Sequence, residues 1–525
     1  MRMRRLDGRV IASERDKLLV FTTDDTSLIS LKSVQGNDTP AEQVNNAIQH
    51  LFGNDATLRG LLSRLPANPS KMNARVLANS WNGSKPLISA LNMNLTEKCN
   101  LACVYCYAKG GNYQRIHEDM TPKAAVASIE EALLNSDPSR VFGIEFFGGE
   151  PLLNVAAIRA VLDFQEKSHL WRDRPGGTRN RISTNLTVCD DERIELIRRG
   201  QMVVSISLDG TAETQNDQRP FKDGRGSYET IIENIRRLRA ACPDLILVAR
   251  MTAYRHDEQL NAMTREFAAS GLFDYVSIYP AAIARQSSSP SHNNADHKHY
   301  YESGASHFSA KFREAILGIA ADYPNFVGKE GRYKGFLELN RLCADILTGR
   351  LALNHCRAGA GYFTLSPDGS VHPCHRLIGD TSCDIGGLHV SSEKTIQDLA
   401  KWRTTVDERP VCASCQIRYL CGGGCKQQAH LSTSDMLGND PNICAWADLL
   451  FEAALTICAN RNEVIDAKLR RSFAELDRLF VFCGRESVPN NRILTALPDE
   501  ITVPDVGPCL KNLVLRPAWV TLESV

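Results

Sequence analysis

Two periodicities alternate along the middle of the chain. From about residue 86 to 330, short apolar runs of strand character recur: ISALNMNL, VFGIEFFGG, RISTNL, VVSISLDG, LILVARMTA and YVSIYPAA. Between most of them, apolar positions repeat at helical spacing, which predicts helices at PKAAVASIEEALL, DERIELIRRG, YETIIENIRRLRAAC and EQLNAMTREFAASG. Six strand–helix repeats with polar or Gly-rich strand ends predict an α/β fold, a parallel (β/α)6 barrel or part of one. In such barrels the chemistry sits on the loops that follow the strands.

The flanks read differently. Residues 1–85 form a small α+β unit in this reading. KLLVFTTDDTSLISLKSV predicts two strands with a turn at Asp24–Asp25, and AEQVNNAIQHLF an amphipathic helix. ANPSKMNARVLANSWNGSKP reads as a linker. The polar stretch 284–300 reads as a surface excursion, with a substrate-gating loop as the alternative. Residues 331–450 shift to short strands, turns and cysteines, with a hairpin signal at Asp368–Gly369 in FTLSPDGSVHPCHR. Residues 451–525 are expected to be a helical extension, although the last forty carry no clear pattern.

Composition narrows the function classes. Lys and Arg total 61 and so do Asp and Glu, so no field of one sign selects nucleic acid or a membrane surface as partner. The basic start MRMRRLDGRV lacks an apolar stretch behind it, and no run looks long enough to cross a bilayer, which points to the cytoplasm. Seventeen cysteines in such a chain suit metal or cluster binding better than a disulfide framework.

Cys99, Cys103 and Cys106 follow the first barrel strand, three soft thiolates on one loop. A structural zinc site takes four ligands, whereas a cubane iron–sulfur cluster held by three keeps one iron open. Chance clustering is the plainer reading. A second group comprises Cys356 and Cys374, then Cys412, Cys415, Cys421, Cys425 and Cys444 at spacing C-x2-C-x5-C-x3-C-x18-C. A zinc ribbon is the alternative there. Cys189, Cys242, Cys343, Cys458, Cys483 and Cys509 fit no pattern and read as small buried residues.

CNLACVYC, with Tyr105 as its aromatic, resembles the hallmark C-x3-C-x-aromatic-C of the radical S-adenosylmethionine (SAM) enzymes. The resemblance implies that Cys99, Cys103 and Cys106 hold a [4Fe–4S] cluster whose open iron binds SAM. Reductive cleavage would then release a 5′-deoxyadenosyl radical that abstracts hydrogen from an unactivated C–H bond. FFGGEPL resembles the family's GGEP segment, which implies that Gly148, Gly149 and Glu150 meet the SAM amino group. Thr184, Asn185 and Ser207 stand where the family contacts SAM. SLDG followed by NDQR looks like the branch that modifies peptides and proteins, with Asn216 where that branch often has His. Arg219 is a cofactor-side candidate and Glu145 a catalytic one, while Arg250 also stands at a barrel end. Each is equally readable as an ion-pair partner.

The second cysteine group resembles the SPASM extension, which implies two auxiliary [4Fe–4S] clusters and three in all. Cys412, Cys415, Cys421 and Cys444 would hold the distal one, and Cys356, Cys374 and Cys425 the proximal one. Tyr362 occupies a place where some relatives add a cysteine, so the proximal cluster keeps an open iron or borrows Cys383 or a substrate thiol. Sulfatase-maturing relatives place Asp after the second cysteine as general base. Here His375 and Arg376 stand there, a form more like thioether-forming peptide maturases, which makes His375 a catalytic candidate. Hydrogen bonding to cluster sulfurs is its plainer role. Residues 1–85 have the size and strand-then-helix order of a winged-helix-like element that binds a leader peptide by strand addition, or of a generic cap.

Taken together, the resemblance implies a maturase of the thioether-forming or quinohemoprotein amine dehydrogenase maturation type. It would install a Cys-to-carbon crosslink in a peptide or small protein, with flavodoxin or ferredoxin as reductant. Sulfatase-type formylglycine formation and a carbon–carbon crosslink are the enzymatic alternatives. An iron–sulfur electron-transfer scaffold is the alternative of another class.

Overall fold

The computed structural model describes all residues except 1, 7–8, 15–16, 23–27, 35–38, 66–87, 112, 114–117, 255–258, 282–308, 328–330, 389–392, 481–485, 490–497, 505, 507–509 and 521–525. The turn at Asp24–Asp25, the linker before residue 86, the stretch 284–300, Cys483 and Cys509 therefore lie outside the described residues.

Four antiparallel strands open the chain: β1 (Arg2–Leu6), β2 (Arg9–Glu14), β3 (Lys17–Thr22) and β4 (Leu28–Ser33), followed by helices Ala41–Gly53 and Asp55–Leu62. Alternation along the strands sends side chains to two apolar neighbourhoods. Ile11, Leu18 and Val20 meet the two helices, whereas Val10, Leu19 and Phe21 join the main core, where Phe21 packs edge-on against Phe451 at 5.1 Å.

The barrel strands are β5 (Ala90–Asn94), β6 (Phe142–Phe147), β7 (Thr178–Thr184), β8 (Val203–Ser207), β9 (Leu247–Ala253) and β10 (Tyr275–Pro280). They pair in parallel and in chain order, as the six repeats predict. The intervening helices start where the sequence signals them. Helix Pro122–Leu134 has Pro at its first position and Thr121 as cap, the Thr side chain accepting from Ala124 N. Such a cap contributes about 1 kcal/mol.

The sheet continues past the barrel on both edges. β11 (Gly335–Phe336) adds to β10. After β12 (Arg350–Asn354), β13 (Tyr362–Leu365) pairs in parallel with β5, and β14 (Val371–His372) closes the expected hairpin. The cysteine-rich region is thus fused to the barrel through β13, which sets Tyr362 opposite Ala90.

The C-terminal region departs from expectation. Helices Pro441–Asn460 and Glu463–Phe480 form, but β15 (Glu486–Pro489) then pairs with β12. β16 (Ile501–Pro504) and β17 (Asn512–Trp519) complete the first sheet, β17 lying antiparallel to β4. The unit expected to end at residue 85 is therefore a six-stranded antiparallel sheet built from both ends of the chain, and 451–525 is not helical throughout. Helix Pro441–Asn460 is also long and apolar enough to span a bilayer by composition, contrary to the sequence reading. Leu449, Leu450, Ala453, Ala454 and Leu455 on it are buried in the main core.

Candidate functional site

The three-cysteine loop leaves β5 and is pinned on two sides. Gly149 N and Glu150 N donate to Thr96 O and Lys98 O at 2.8 Å each, and Ala102 N and Val104 N donate to Pro220 O and Gln218 O at 2.8 and 3.0 Å. Glycine is required at the first contact. A Cβ on Gly149 would lie 2.3 Å from Lys98 O and 3.1 Å from Cys99 Cβ. The GGEP segment predicted from sequence is thus the floor on which the cysteine loop rests.

Cys99, Cys103 and Cys106 line one cavity of about 180 Å³ together with Tyr105, Gly148, Gly149, Thr184, Asn185, Ser207 and Arg219. Gly110 N already points at Cys106 Sγ at 3.4 Å, and Asn185 Nδ2 at Cys99 Sγ at 3.8 Å. Burial pushes the Cys99 thiol up to about 12 and the Cys103 thiol to about 11, the latter against the pull of Arg219. A bare thiolate is disfavoured in such a loop, so ionisation is expected with a cationic centre that shares the site. Among the described residues no three ligating side chains gather at the spacing of a single metal ion. Three thiols on a shared cavity wall fit a wider iron–sulfur cluster.

The polar groups around this loop are mutually satisfied. Arg219 binds Asp209 with two bonds, 2.9 and 3.1 Å, and its guanidinium lies 5.1 Å over the Tyr105 ring. The Tyr105 hydroxyl donates to the same carboxylate. Burial alone would weaken the Arg219 charge, but Asp209, Tyr105 and Cys103 outweigh it.

Glu150, expected at the SAM amino group, is fully buried at the end of β6. Its carboxylate turns inward, away from the cavity wall, and accepts from Leu152 N at 3.0 Å, Thr184 Oγ1 at 2.7 Å and Asn185 N at 2.7 Å. Burial still pushes it up to about 7. It ties the end of β6 to the end of β7 and so positions Thr184 and Asn185.

The auxiliary cysteines lie in the region after β12. Cys374 lies within electrostatic reach of Cys425 and Cys356, and Cys444 of Cys412 and Cys415. Asn439 Nδ2 reaches both Cys412 Sγ and Cys444 Sγ, at 3.5 and 3.7 Å. Cys421 sits beside the start of the proximal group, its carbonyl 3.1 Å from His355 Nδ1. The CGGGC run makes this possible: Gly422 has φ +72°, and a Cβ there would lie 2.6 Å from His355 N. Cys383 faces Asp380 instead, with Sγ 3.7 Å from Oδ2.

His375 and Arg376, just after Cys374, enter the same cavity as the first cysteine loop. The His375 ring packs on Phe147 at 4.7 Å, and burial with the nearby Arg376 lowers it to about 3, so it is neutral at physiological pH. Tyr362 OH lies 3.3 Å from His375 Nδ1 and 3.3 Å from Glu145 Oε2. Glu145, expected as a catalytic group, lies beneath the cavity rather than on its wall. Asn92, Ser183 and Arg181 also hold its carboxylate, at 3.1, 2.9 and 3.5 Å. Burial pushes it up, but Arg181, His375 and these hydrogen bonds outweigh that and hold it below the usual carboxylate range. The Tyr362 hydroxyl thus stands between Glu145 and His375.

Sequence reasoning passed over Asp209, Tyr107 and Ser205. Asp209 carried a signal, as the acid of SLDG directly after β8; Tyr107 and Ser205 carried none beyond proximity to named residues.

Residues 93–264 match the Radical SAM superfamily. An uncharacterized protein of Archaeoglobus fulgidus is 26% identical over 388 residues, 72% of this chain and 84% of that protein. A cysteine-type anaerobic sulfatase-maturating enzyme of Clostridium novyi is 24% identical over 361 residues, 65% of this chain and 88% of that enzyme. A solved structure of anSMEcpe with bound AdoMet has the same fold, with TM-score 0.55 and 18% identity over 73% of this chain and 98% of that one. The superfamily match begins inside β5, which launches the cysteine loop, and ends in helix Leu260–Ala269 after β9. It therefore covers the cavity's cysteine, glycine and serine walls, and residues 93–264 of the chain form a radical SAM domain.

Proposed function

We propose that this enzyme is a SPASM-type maturase that installs a Cys-to-carbon thioether in a peptide or small protein, working in the cytoplasm with a flavodoxin or ferredoxin as reductant. Cys99, Cys103 and Cys106 would hold the SAM-binding [4Fe–4S] cluster. Cys412, Cys415, Cys421 and Cys444 would hold the distal auxiliary cluster, and Cys356, Cys374 and Cys425 the proximal one. SAM bound at the first cluster supplies, on reductive cleavage, a 5′-deoxyadenosyl radical able to abstract hydrogen from carbon. Gly148, Gly149, Thr184, Asn185, Ser207 and Arg219 bind and orient that cofactor, while Tyr105 buttresses the loop through Asp209.

The observation that carries the reading is the shared cavity: His375 and Arg376, from the auxiliary-cluster segment, face the residues of the SAM side. Joining sulfur to carbon takes a hydrogen atom from the carbon, which the 5′-deoxyadenosyl radical would accept, and a proton and an electron from the thiol; the electron would go to the auxiliary cluster that Cys356, Cys374 and Cys425 would hold, and the proton to a neighbouring base. His375, held by Tyr362 and Phe147, is the imidazole that the auxiliary-cluster segment brings into that cavity, and it is the candidate for that role. Tyr362, in a place where relatives add a cysteine, leaves the proximal group with three chain thiols, a position a substrate thiol can fill.

Sulfatase-type formylglycine formation is the second reading, favoured by the curated relatives, several of which are sulfatase-maturating enzymes. Mass spectrometry of a cysteine peptide after anaerobic turnover separates the two. A loss of two hydrogens with no alkylatable thiol supports the crosslink. An aldehyde captured by a hydrazide supports formylglycine.

A further inference from the structure

In the cysteine-rich region one amide reaches two thiols from separate segments. Asn439 Nδ2 lies 3.5 Å from Cys412 Sγ and 3.7 Å from Cys444 Sγ, and Asn439 Oδ1 lies 3.8 Å from Cys412 Sγ. As a thiol, Cys412 can donate to that oxygen. As iron ligands both sulfurs are thiolates, which only accept. The Nδ2 group then becomes their shared partner, with two N–H donors, one for each sulfur.

The backbone on both sides of this amide is fixed. Arg409, only 1% exposed, donates from Nε to Leu437 O at 3.2 Å, from Nη2 to Gly438 O and from Nη1 to Gly423 O. One guanidinium thus ties the two residues before Asn439 to the CGGGC run between Cys421 and Cys425. Arg409 is also the residue from which the short helix Pro410–Ala413, carrying Cys412, starts. On the other side, the Asp440 carboxylate accepts from Asn442 N at 2.8 Å and Ile443 N at 3.0 Å. That cap starts helix Pro441–Asn460, which carries Cys444 in its first turn. Asn439 is therefore set between the segments that bring Cys412, Cys421 and Cys444.

An N–H donated to a ligating sulfur offsets negative charge, and the reduced state of an iron–sulfur cluster carries more of it than the oxidised state. Such bonds are one of the levers that set a cluster's potential.

We propose that Asn439 is a positioning residue of the distal auxiliary cluster: its amide donates to the Cys412 and Cys444 sulfurs and raises the potential of that cluster. This rests on the assignment of Cys412, Cys415, Cys421 and Cys444 to the distal cluster, and adds what tunes it. A merely structural amide would hold the loop and leave the potential where it is.

The test uses the full-length enzyme reconstituted anaerobically with iron and sulfide. Iron is counted per chain, and the midpoint potential of each cluster is followed by electron paramagnetic resonance during a redox titration. Asn439→Ala should keep the iron of the parent and lower the potential of one auxiliary cluster alone. The expected shift equals about a tenfold fall in the reduced-to-oxidised ratio, ~59 mV for one electron. Asn439→Asp, of equal size but only an acceptor when ionised, should lower it at least as far. Asn439→Gln, which keeps the amide on a longer arm, should recover part of the shift. Where Asn439→Ala binds less iron, Asn439→Asp keeps the test decisive. Full iron with unmoved potentials in both variants overturns the inference and leaves the cluster assignment intact. Loss of one cluster's iron from both variants assigns the amide to cluster retention and also overturns the tuning role. Iron for fewer than three clusters in the parent overturns the auxiliary-cluster reading together with this inference.

Discussion

The two sides of one cavity are built on opposite principles. On the cofactor side every charge has an internal partner: Arg219 with Asp209, Glu150 with the Thr184 hydroxyl and two backbone N–H groups. On the other side Arg250 and Arg376 carry charge with no ion-pair partner among the described residues, next to a neutral imidazole. The first arrangement is satisfied within the chain; the second is left open to the cavity. Preorganisation suits a cofactor that is the same in every turnover, and open charge suits a substrate that must be chosen.

The cofactor side can be broken most severely at its cysteines. Cys103→Ala should reduce formation of 5′-deoxyadenosine from SAM and dithionite to background, measured chromatographically with no peptide present. Retained cleavage would remove the basis for the comparison. Next in size is Asp209→Asn. It leaves Arg219 buried without its counter-charge and should cost about 3–5 kcal/mol in anaerobic urea unfolding. Arg250→Gln is the matched control on the other side. With no ion pair to lose, its unfolding free energy should stay within about 0.5 kcal/mol of the parent. Equal losses for the two variants would erase the contrast between the two sides.

Glu338, within electrostatic reach of Arg250, sharpens the same contrast through pH. Burial raises its carboxyl to about 7 from an ordinary 4.5, so the folded chain holds this proton where the unfolded chain has released it. The sign follows: stability from this group is complete below the unfolded value and declines as pH rises from about 4.5 through 7. The loss should reach roughly 3 kcal/mol above pH 7. Glu338→Gln should therefore be more stable than the parent at pH 8, with the gap closing near pH 5, as read by thermal unfolding at both values.

How much of this was legible in the sequence depends on how local the cause is. Helix Pro122–Leu134 was legible to the residue because its cap, its first-position proline and its apolar spacing lie within one short segment. The cysteine loop and GGEP floor were legible for the same reason. The inward turn of Glu150 was not, since it depends on backbone N–H groups at Leu152 and Asn185 meeting one carboxylate. Strands β16 and β17 escaped because their partner β4 lies at the other end of the chain, and short alternating runs carry little signal alone. Arg250 and Arg376 each looked ordinary in sequence. Their meaning arises only where β9 and the segment after β14 face one cavity.

The smallest expected effect on turnover lies at the join between the two sides. Tyr362 reaches His375 Nδ1 and Glu145 Oε2 at 3.3 Å each, both at the long end of hydrogen bonding. Tyr362→Phe keeps the ring against Ala90 and removes only the hydroxyl. Glu145 retains Asn92, Ser183 and Arg181, so its charge remains compensated. His375 retains its packing on Phe147 but loses the contact that orients Nδ1. A neutral hydrogen bond of this kind contributes about 1 kcal/mol, so peptide modification should slow by about fivefold with little change in KM. A much larger loss of kcat would place the Tyr362 hydroxyl among the groups that touch the substrate. No loss would mean that packing alone orients His375, and that the Glu145–Tyr362 contact only holds β13 against the barrel.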